Sequence, residues 1–191
     1  MNGTERFDGN AGPARTGMMK KAIIIGCPGS GKSTFARALH QATGLPLFYL
    51  DMMNWNADHT EVPDEVFQRR LQEAISGERW IIDGNYGSTI ELRLRACDTV
   101  FFLDYPLETC LDGIRSRKGQ KRPDIPWEND DGESDEKFID FIKNYRAVSR
   151  PKVLSLLEKY HDRNIVVFHR REEADAYLRG LQGAFPQNNT I

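Results

Sequence analysis

The sequence predicts an α/β fold, a parallel five-stranded sheet covered by helices on both faces, and three observations carry that expectation. Short apolar runs, most of them with β-branched residues, recur along the chain (KKAIIIG, LPLFYLD, RWIID, TVFFLD, NIVVFH). Stretches with apolar residues at helical spacing separate them. The connections are long enough for helical crossovers, which parallel strands require.

Each element has its own reason. KKAIIIG is apolar and β-branched after its two lysines and closes on Gly26, as a buried strand should. SGKSTFARALHQAT places Phe35, Ala38, Leu39 and Ala42 on one helical face, and Gly44 ends it. LPLFYLD is a second strand closing on Asp51. In PDEVFQRRLQEAIS, Pro63 suits a first helical turn; Phe67, Leu71, Ala74 and Ile75 share a side; Gly77 terminates. RWIID and TVFFLD are strands three and four, ending on Asp83 and Asp104. PLETCLDGIRSRKG is a helix opened by proline, NIVVFH the last strand and EEADAYLRGL the last helix. Between Arg115 and Ser134 the alternation breaks: a basic half with Arg115, Arg117, Lys118, Lys121 and Arg122 precedes an acidic half with Glu128, Asp130, Asp131 and Glu133. Its glycines and prolines exclude a long helix, so a mobile flap is expected over about 117–134. Helix resumes near Asp135 and runs to about Tyr160, with a bend expected at Pro151.

The 191 residues make one ordinary domain, 39% hydrophobic and 28% charged, with a formal net charge of −2. That balance argues against stable nucleic-acid binding, and no apolar run is long enough to cross a membrane. Residues 1–18 read as a disordered tail without the apolar segment of a signal peptide, 19–182 as the domain and 183–191 as a C-terminal tail. Cys27, Cys97 and Cys110 are odd in number and widely spaced, fitting neither a disulfide framework nor a zinc pattern. The expectation is a cytoplasmic protein with reduced thiols.

Right-handed crossovers bring Ser30, Asp51, Asp83, Asp104 and His169 to one edge of the sheet, where open sheets bind ligands. GCPGSGKST lies at that edge. Gly26, Gly31, Lys32 and Ser33 satisfy G-x-x-x-x-G-K-[ST] between a strand and a helix. A chain wrapped around phosphate must aim successive N–H groups inward, which glycine permits. The following helix adds the positive end of its dipole, Lys32 a full charge and Ser33 a hydroxyl for magnesium. A nucleoside triphosphate, ATP with Mg2+, is the expected ligand. A dinucleotide reading of Gly26, Gly29 and Gly31 fails on spacing.

Among the other candidates, Asp83 suits magnesium through water, and Asp51 suits either that or the role of base toward an acceptor hydroxyl. Asp104 is better placed to orient the next helix. The bland reading of all three is helix capping. Arginines stabilise a moving phosphoryl group, and Arg115 and Arg117 enter the flap, Arg122 lies within it, and Arg146 and Arg150 share a face of the return helix. A solvated basic surface is the plain alternative. Trp55 and Tyr86 suit stacking on an acceptor ring or filling a core edge. Arg93 and Arg95 suit an acceptor phosphate or an exposed helix face. His169 and Arg170 lie near a purine site or begin a helix. Oxidation of Cys27, inside the loop, would block it.

In this order GCPGSGKST, LFYLD, RWIIDGNY, FFLDYP and the RSRK flap resemble the adenylate-kinase-related P-loop proteins often labelled DNA topology modulation proteins, over roughly residues 20–180. The resemblance implies a three-layer P-loop NTPase sandwich with strand order 2-3-1-4-5, an acceptor-binding segment at about 52–79 and a lid at about 117–134. It implies Gly29, Ser30, Gly31, Lys32, Ser33 and Thr34 as the triphosphate site. Nucleoside monophosphate kinases carry D-G-F-P-R where this chain has Asp83-Gly84-Asn85-Tyr86-Gly87, so the arginine is missing and adenosine monophosphate is disfavoured as acceptor. No cysteine cluster exists to brace the flap with zinc.

The function expected is an ATP- and magnesium-dependent small-molecule kinase, with Lys32, Asp51, Asp83 and Arg117 catalytic, residues 29–34, Arg117, Arg122 and Arg150 on the nucleotide, and Ser33 and Asp83 on the metal. The alternative is a nucleotide-dependent regulator acting on DNA or a protein, supported only by the basic cluster at 115–122. No N-K-x-D motif supports a guanine-specific GTPase, and no room remains for a second helical domain of a ring-forming ATPase.

Overall fold

The structure, a computed structural model, describes residues 19–127 and 136–184. The tail expected at 1–18, the last residues of the C-terminal tail and the acidic half of the flap lie outside the described residues. Five strands, β1 (Lys21–Gly26), β2 (Leu47–Tyr49), β3 (Trp80–Asp83), β4 (Thr99–Leu103) and β5 (Asn164–Phe168), form one sheet in the order β2-β3-β1-β4-β5. Every pairing is parallel; Ile24 of β1 stands beside Asp83 of β3 and Phe101 of β4. The central strand therefore carries the loop that follows it to the middle of the sheet's carboxyl edge.

Helices α1 (Lys32–Thr43), α2 (Leu50–Asn54), α3 (Asp64–Ser76), α4 (Gly87–Ala96), α5 (Leu107–Ser116), α6 (Glu136–Lys159) and α7 (Arg171–Ala184) cover both faces. The alternation of side chains along β1 splits the core. Ala22 and Ile24 pack with Phe35, Leu39, Phe101 and Phe168 on one side. Ile23 and Ile25 pack with Leu50, Leu71, Trp80 and Leu94 on the other. Truncating any fully buried isoleucine here to alanine would cost about 2–5 kcal/mol, since the two layers leave little room to collapse. Helix α1 stops where Gly44 adopts φ 65° and donates its N–H to His40 O at 2.8 Å.

One local expectation changes. The second strand ends at Tyr49, and Asp51 sits in the first turn of α2 instead of closing the strand. The helix expected from near Asp135 to about Tyr160 is α6, which contains Pro151.

Candidate functional site

Backbone geometry builds the cradle. A Cβ on Gly26 would stand 2.5 Å from Leu103 O, so β1 can leave the sheet this close to β4 only as glycine. Gly29 and Gly31 take φ 82° and 89°, and Ser30 N–H donates to Cys27 O at 3.1 Å, closing the turn. Helix α1 then begins without a side-chain cap and without an acidic residue in its first turn. Its leading N–H groups have no intrahelical acceptor and suit an anion. The Ser30 hydroxyl is buried within the loop and has no hydrogen-bond partner.

Lys32 donates from Nζ to Gly26 O at 3.0 Å and to Cys27 O at 3.1 Å. Burial lowers its pKa, while the Asp83 carboxylate nearby favours the charged form. Asp83, at the end of β3, is 4% exposed, and burial pushes its carboxyl up to about 6 against the pull of Lys32 and the Ser33 hydroxyl. Its Oδ1 has no hydrogen-bond partner. A buried carboxylate oxygen left unpaired beside a serine hydroxyl, at the mouth of a phosphate loop, fits a divalent cation. Among the described residues no group of three or more His, Cys, Asp or Glu could hold a metal by side chains alone. Such a cation would therefore draw most of its ligands from phosphate and water, as magnesium does.

Across the cavity Trp55 Nε1 donates to Tyr86 Oη at 3.0 Å, and Tyr86 Oη donates to Asp51 Oδ1 at 2.8 Å. Burial raises the Tyr86 pKa, and the Asp51 charge adds to it, so the phenol keeps its proton. Burial also raises Asp51, whereas the Tyr86 hydrogen bond and Lys32 hold it down. The two aromatics thus orient a carboxylate.

The turn after Asp83 is held by two residues that sequence reasoning did not assign. Asn85 accepts the Gly26 N–H at Oδ1 (3.0 Å) and donates from Nδ2 to Gly26 O (2.6 Å), tying the β3 turn to the start of the phosphate loop. Arg93, expected either on an acceptor phosphate or on an exposed face, is fully buried. Its guanidinium donates to Gly84 O at 2.8 Å, to Asn85 O and to Thr89 O at 3.3 Å. Burial draws it down to about 10. Asn85 directly after D-G was the one sequence signal available for this clamp; Arg93 sits in an ordinary helical pattern and gave none.

The described flap residues line the cavity. Trp127 stacks on His59 with centroids 4.3 Å apart and meets Trp55 edge-on at 6.1 Å. Arg122 holds Asp124, its NH2 2.6 Å from Oδ2. Gly29, Gly31, Lys32, Ser33, Thr34, Asp51, Asp83, Arg117 and Arg122 all line a single cavity of about 560 Å³, together with Trp55, Tyr86, Arg37, Asp124 and Trp127. Its volume suits a small-molecule ligand. Arg150 is not among the lining residues. It forms a two-pronged pair with Asp104, Nε to Oδ1 at 2.7 Å and NH2 to Oδ2 at 2.6 Å. Asp104 therefore anchors α6 rather than capping α5, whose N-cap, Pro106, makes no side-chain cap hydrogen bond.

Solved structures share this architecture. Shikimate kinase from Bacteroides thetaiotaomicron superposes with TM-score 0.52 at 20% identity, covering 87% of this chain and 98% of that one. Shikimate kinase from Acinetobacter baumannii, in complex with shikimate, gives TM-score 0.56 at 15% identity, covering 91% and 97%. At such identities the likeness establishes the fold alone, a parallel five-stranded sheet with helices on both faces. No family model and no curated protein matches the chain.

Proposed function

We propose that the protein is a small-molecule kinase that moves the terminal phosphoryl group of ATP, with Mg2+, to an acceptor hydroxyl or phosphate. The observation that carries this reading is the meeting, in one cavity, of the G-x-x-x-x-G-K-S loop, the Asp83 carboxylate with its unpartnered Oδ1, and an oriented Asp51. That two neighbours in fold are shikimate kinases is consistent with it.

In this mechanism the amides of 29–34 and the N-terminus of α1 bind the phosphates, and Lys32 meets the charge that develops on the transferring group. Arg117 and Arg122 reach the same oxygens from the flap. Ser33 and Asp83 hold the magnesium ion, which when bound neutralises charge on the terminal phosphates. An acceptor hydroxyl lies toward Asp51, with Trp55, Tyr86 and Trp127 offering aromatic surface. Its oxygen forms the new bond to phosphorus, the bond to the leaving phosphate breaks, and Asp51 takes the hydroxyl proton. A phosphate acceptor needs no base. Closing the flap excludes water, which would otherwise compete as acceptor.

The test is a panel of sugars, nucleosides, nucleotides, shikimate and other small alcohols, assayed for magnesium-dependent ADP release above background hydrolysis. One acceptor should raise ADP release, and Lys32→Ala should lower the stimulated rate by about 10²-fold or more, as removal of a charge-stabilising donor does. Equal ADP release across the panel, with Lys32→Ala as active as wild type, would overturn the reading.

A further inference from the structure

The phosphate cradle in this structure already faces an anion from the protein itself. Asp124 lies in the flap beyond the last basic residue, with its side chain 5% exposed. Arg122 approaches it with both prongs, NH2 to Oδ2 at 2.6 Å and Nε to Oδ1 at 3.4 Å. Arg37 NH1 stands 3.9 Å from Oδ1 and has no hydrogen-bond partner, although that nitrogen is buried. The Ser33 hydroxyl, in the first turn of α1, lines the same cavity and acts to lower the pKa of both Asp124 and Asp83. Burial acts to raise the Asp124 pKa. The hydrogen bond and charge of Arg122, with Ser33, outweigh burial and keep the carboxyl below its ordinary value, so the group is ionised.

A carboxylate with two guanidiniums and a helix-terminal hydroxyl is a small copy of a bound phosphate. These partners line the same cavity as Lys32 and Gly29. We propose that Asp124 is a resident phosphate mimic: it holds Arg122 and Arg37 poised at the cradle, and the terminal phosphates of the nucleotide displace it. The proposal rests on the reading of this cavity as a triphosphate site. It assigns a positioning role to Asp124 and adds Arg37 to the phosphate-binding cations. Exchanging one anion for another leaves the arginines paired throughout, so they are never desolvated without a counter-charge. It also taxes nucleotide binding, because only the fraction of molecules with Asp124 displaced is competent.

The experiment is calorimetric titration of the full-length protein with MgATP and with adenosine, for wild type, Asp124→Asn and Asp124→Ser. Thermal melts establish that each variant is folded. Removing the competing charge should tighten MgATP about three- to tenfold, the gain expected when a competent state rises from a minor fraction to dominance. The response to adenosine, which has no phosphate, should not change. MgATP binding that is unchanged or weaker in both variants overturns the proposal; weakening would make Asp124 a contributor to metal or nucleotide binding. Equal gains for MgATP and adenosine also overturn it, because they would reflect general loosening. If MgATP binds neither wild type nor variants, the triphosphate reading itself falls, and this proposal with it. Binding by the variants alone supports both.

Discussion

Gly113 lies inside α5, a position where alanine normally stabilises a helix by about 1 kcal/mol relative to glycine. Here the local preference and the tertiary contact oppose each other. A Cβ on Gly113 would stand 1.9 Å from Gly29 O, and a Cβ on Gly29 would stand 2.0 Å from Cys110 O. Helix and phosphate loop therefore touch backbone to backbone, and Gly113→Ala must push the loop off its course. We expect this variant to fold and to weaken MgATP by about tenfold or more, because a displacement of about 1 Å at a preorganised site costs roughly that much or more. Calorimetry decides it; unchanged affinity would mean the loop does not depend on this approach. Arg93→Met tests a neighbouring dependence. It leaves the carbonyls of Gly84 and Asn85 without their buried donor. Unsatisfied buried acceptors cost about 1–3 kcal/mol each, so a loss of about 2–6 kcal/mol in a urea titration is expected. Both residues illustrate what sequence hides. Glycine in a helix and arginine on a helix have ordinary explanations, and only the packing partner, distant in the chain, reverses them.

Elements were legible wherever one physical signal dominated. The five strands stood out because each is a short apolar run and most carry β-branched residues, and the crossover rule then brought Lys32, Asp51 and Asp83 to one edge. The strand-to-helix change at Leu50 was not visible, since LFYLD is equally apolar in either conformation. Helix α4 was equally obscure. Its sequence GSTIELRLRA has no clear apolar stripe, yet through Arg93 it holds the turn after Asp83, and it joins α6 through Glu91. Glu91 accepts from Lys159 Nζ at 2.6 Å, Tyr160 Oη at 3.0 Å and Arg95 NH2 at 3.3 Å. The Lys159 hydrogen bond, with those of Tyr160 and Arg95, draws its carboxyl down from 4.5 to about 2. A folded-state pKa below the unfolded one gives stability present above about pH 4.5 and lost as pH falls toward 2. Glu91→Gln should therefore lower the urea midpoint at pH 7. The gap from wild type should narrow through pH 4 and 3. A gap independent of pH would assign the effect to packing, and the α4–α6 contact would not rest on this charge.

For the molecule as a whole, the decisive quantity is the coupling between the cavity and the rest of the fold. The loop leaves the central strand, Asn85 ties β3 to Gly26, and the α1 cradle sits over a core shared with β4, β5 and α7. A ligand held there binds only the folded chain, because the converging amides do not exist in the unfolded one. Stability should then rise with ligand concentration by mass action, about 2.7 kcal/mol at one hundred times Kd. For a domain of this length, each kcal/mol moves the midpoint by about 2–4 °C, so saturating MgATP should raise the thermal midpoint by about 5–10 °C. Lys32→Ala, which removes the ammonium at the loop mouth but none of the core, should melt near the wild-type temperature without ligand and lose most of the shift. The measurement needs no acceptor, which separates the question of whether the cavity binds a nucleotide from the question of what it phosphorylates. Once the MgATP shift is established, a compound that raises the midpoint further in its presence occupies a second, compatible place in the cavity. The surface formed by Asp51, Trp55, Tyr86 and Trp127 is the expected one. A Trp127→Ala variant that keeps the MgATP shift and loses only this increment would place the acceptor there; loss of both would show that the flap aromatic serves the nucleotide instead.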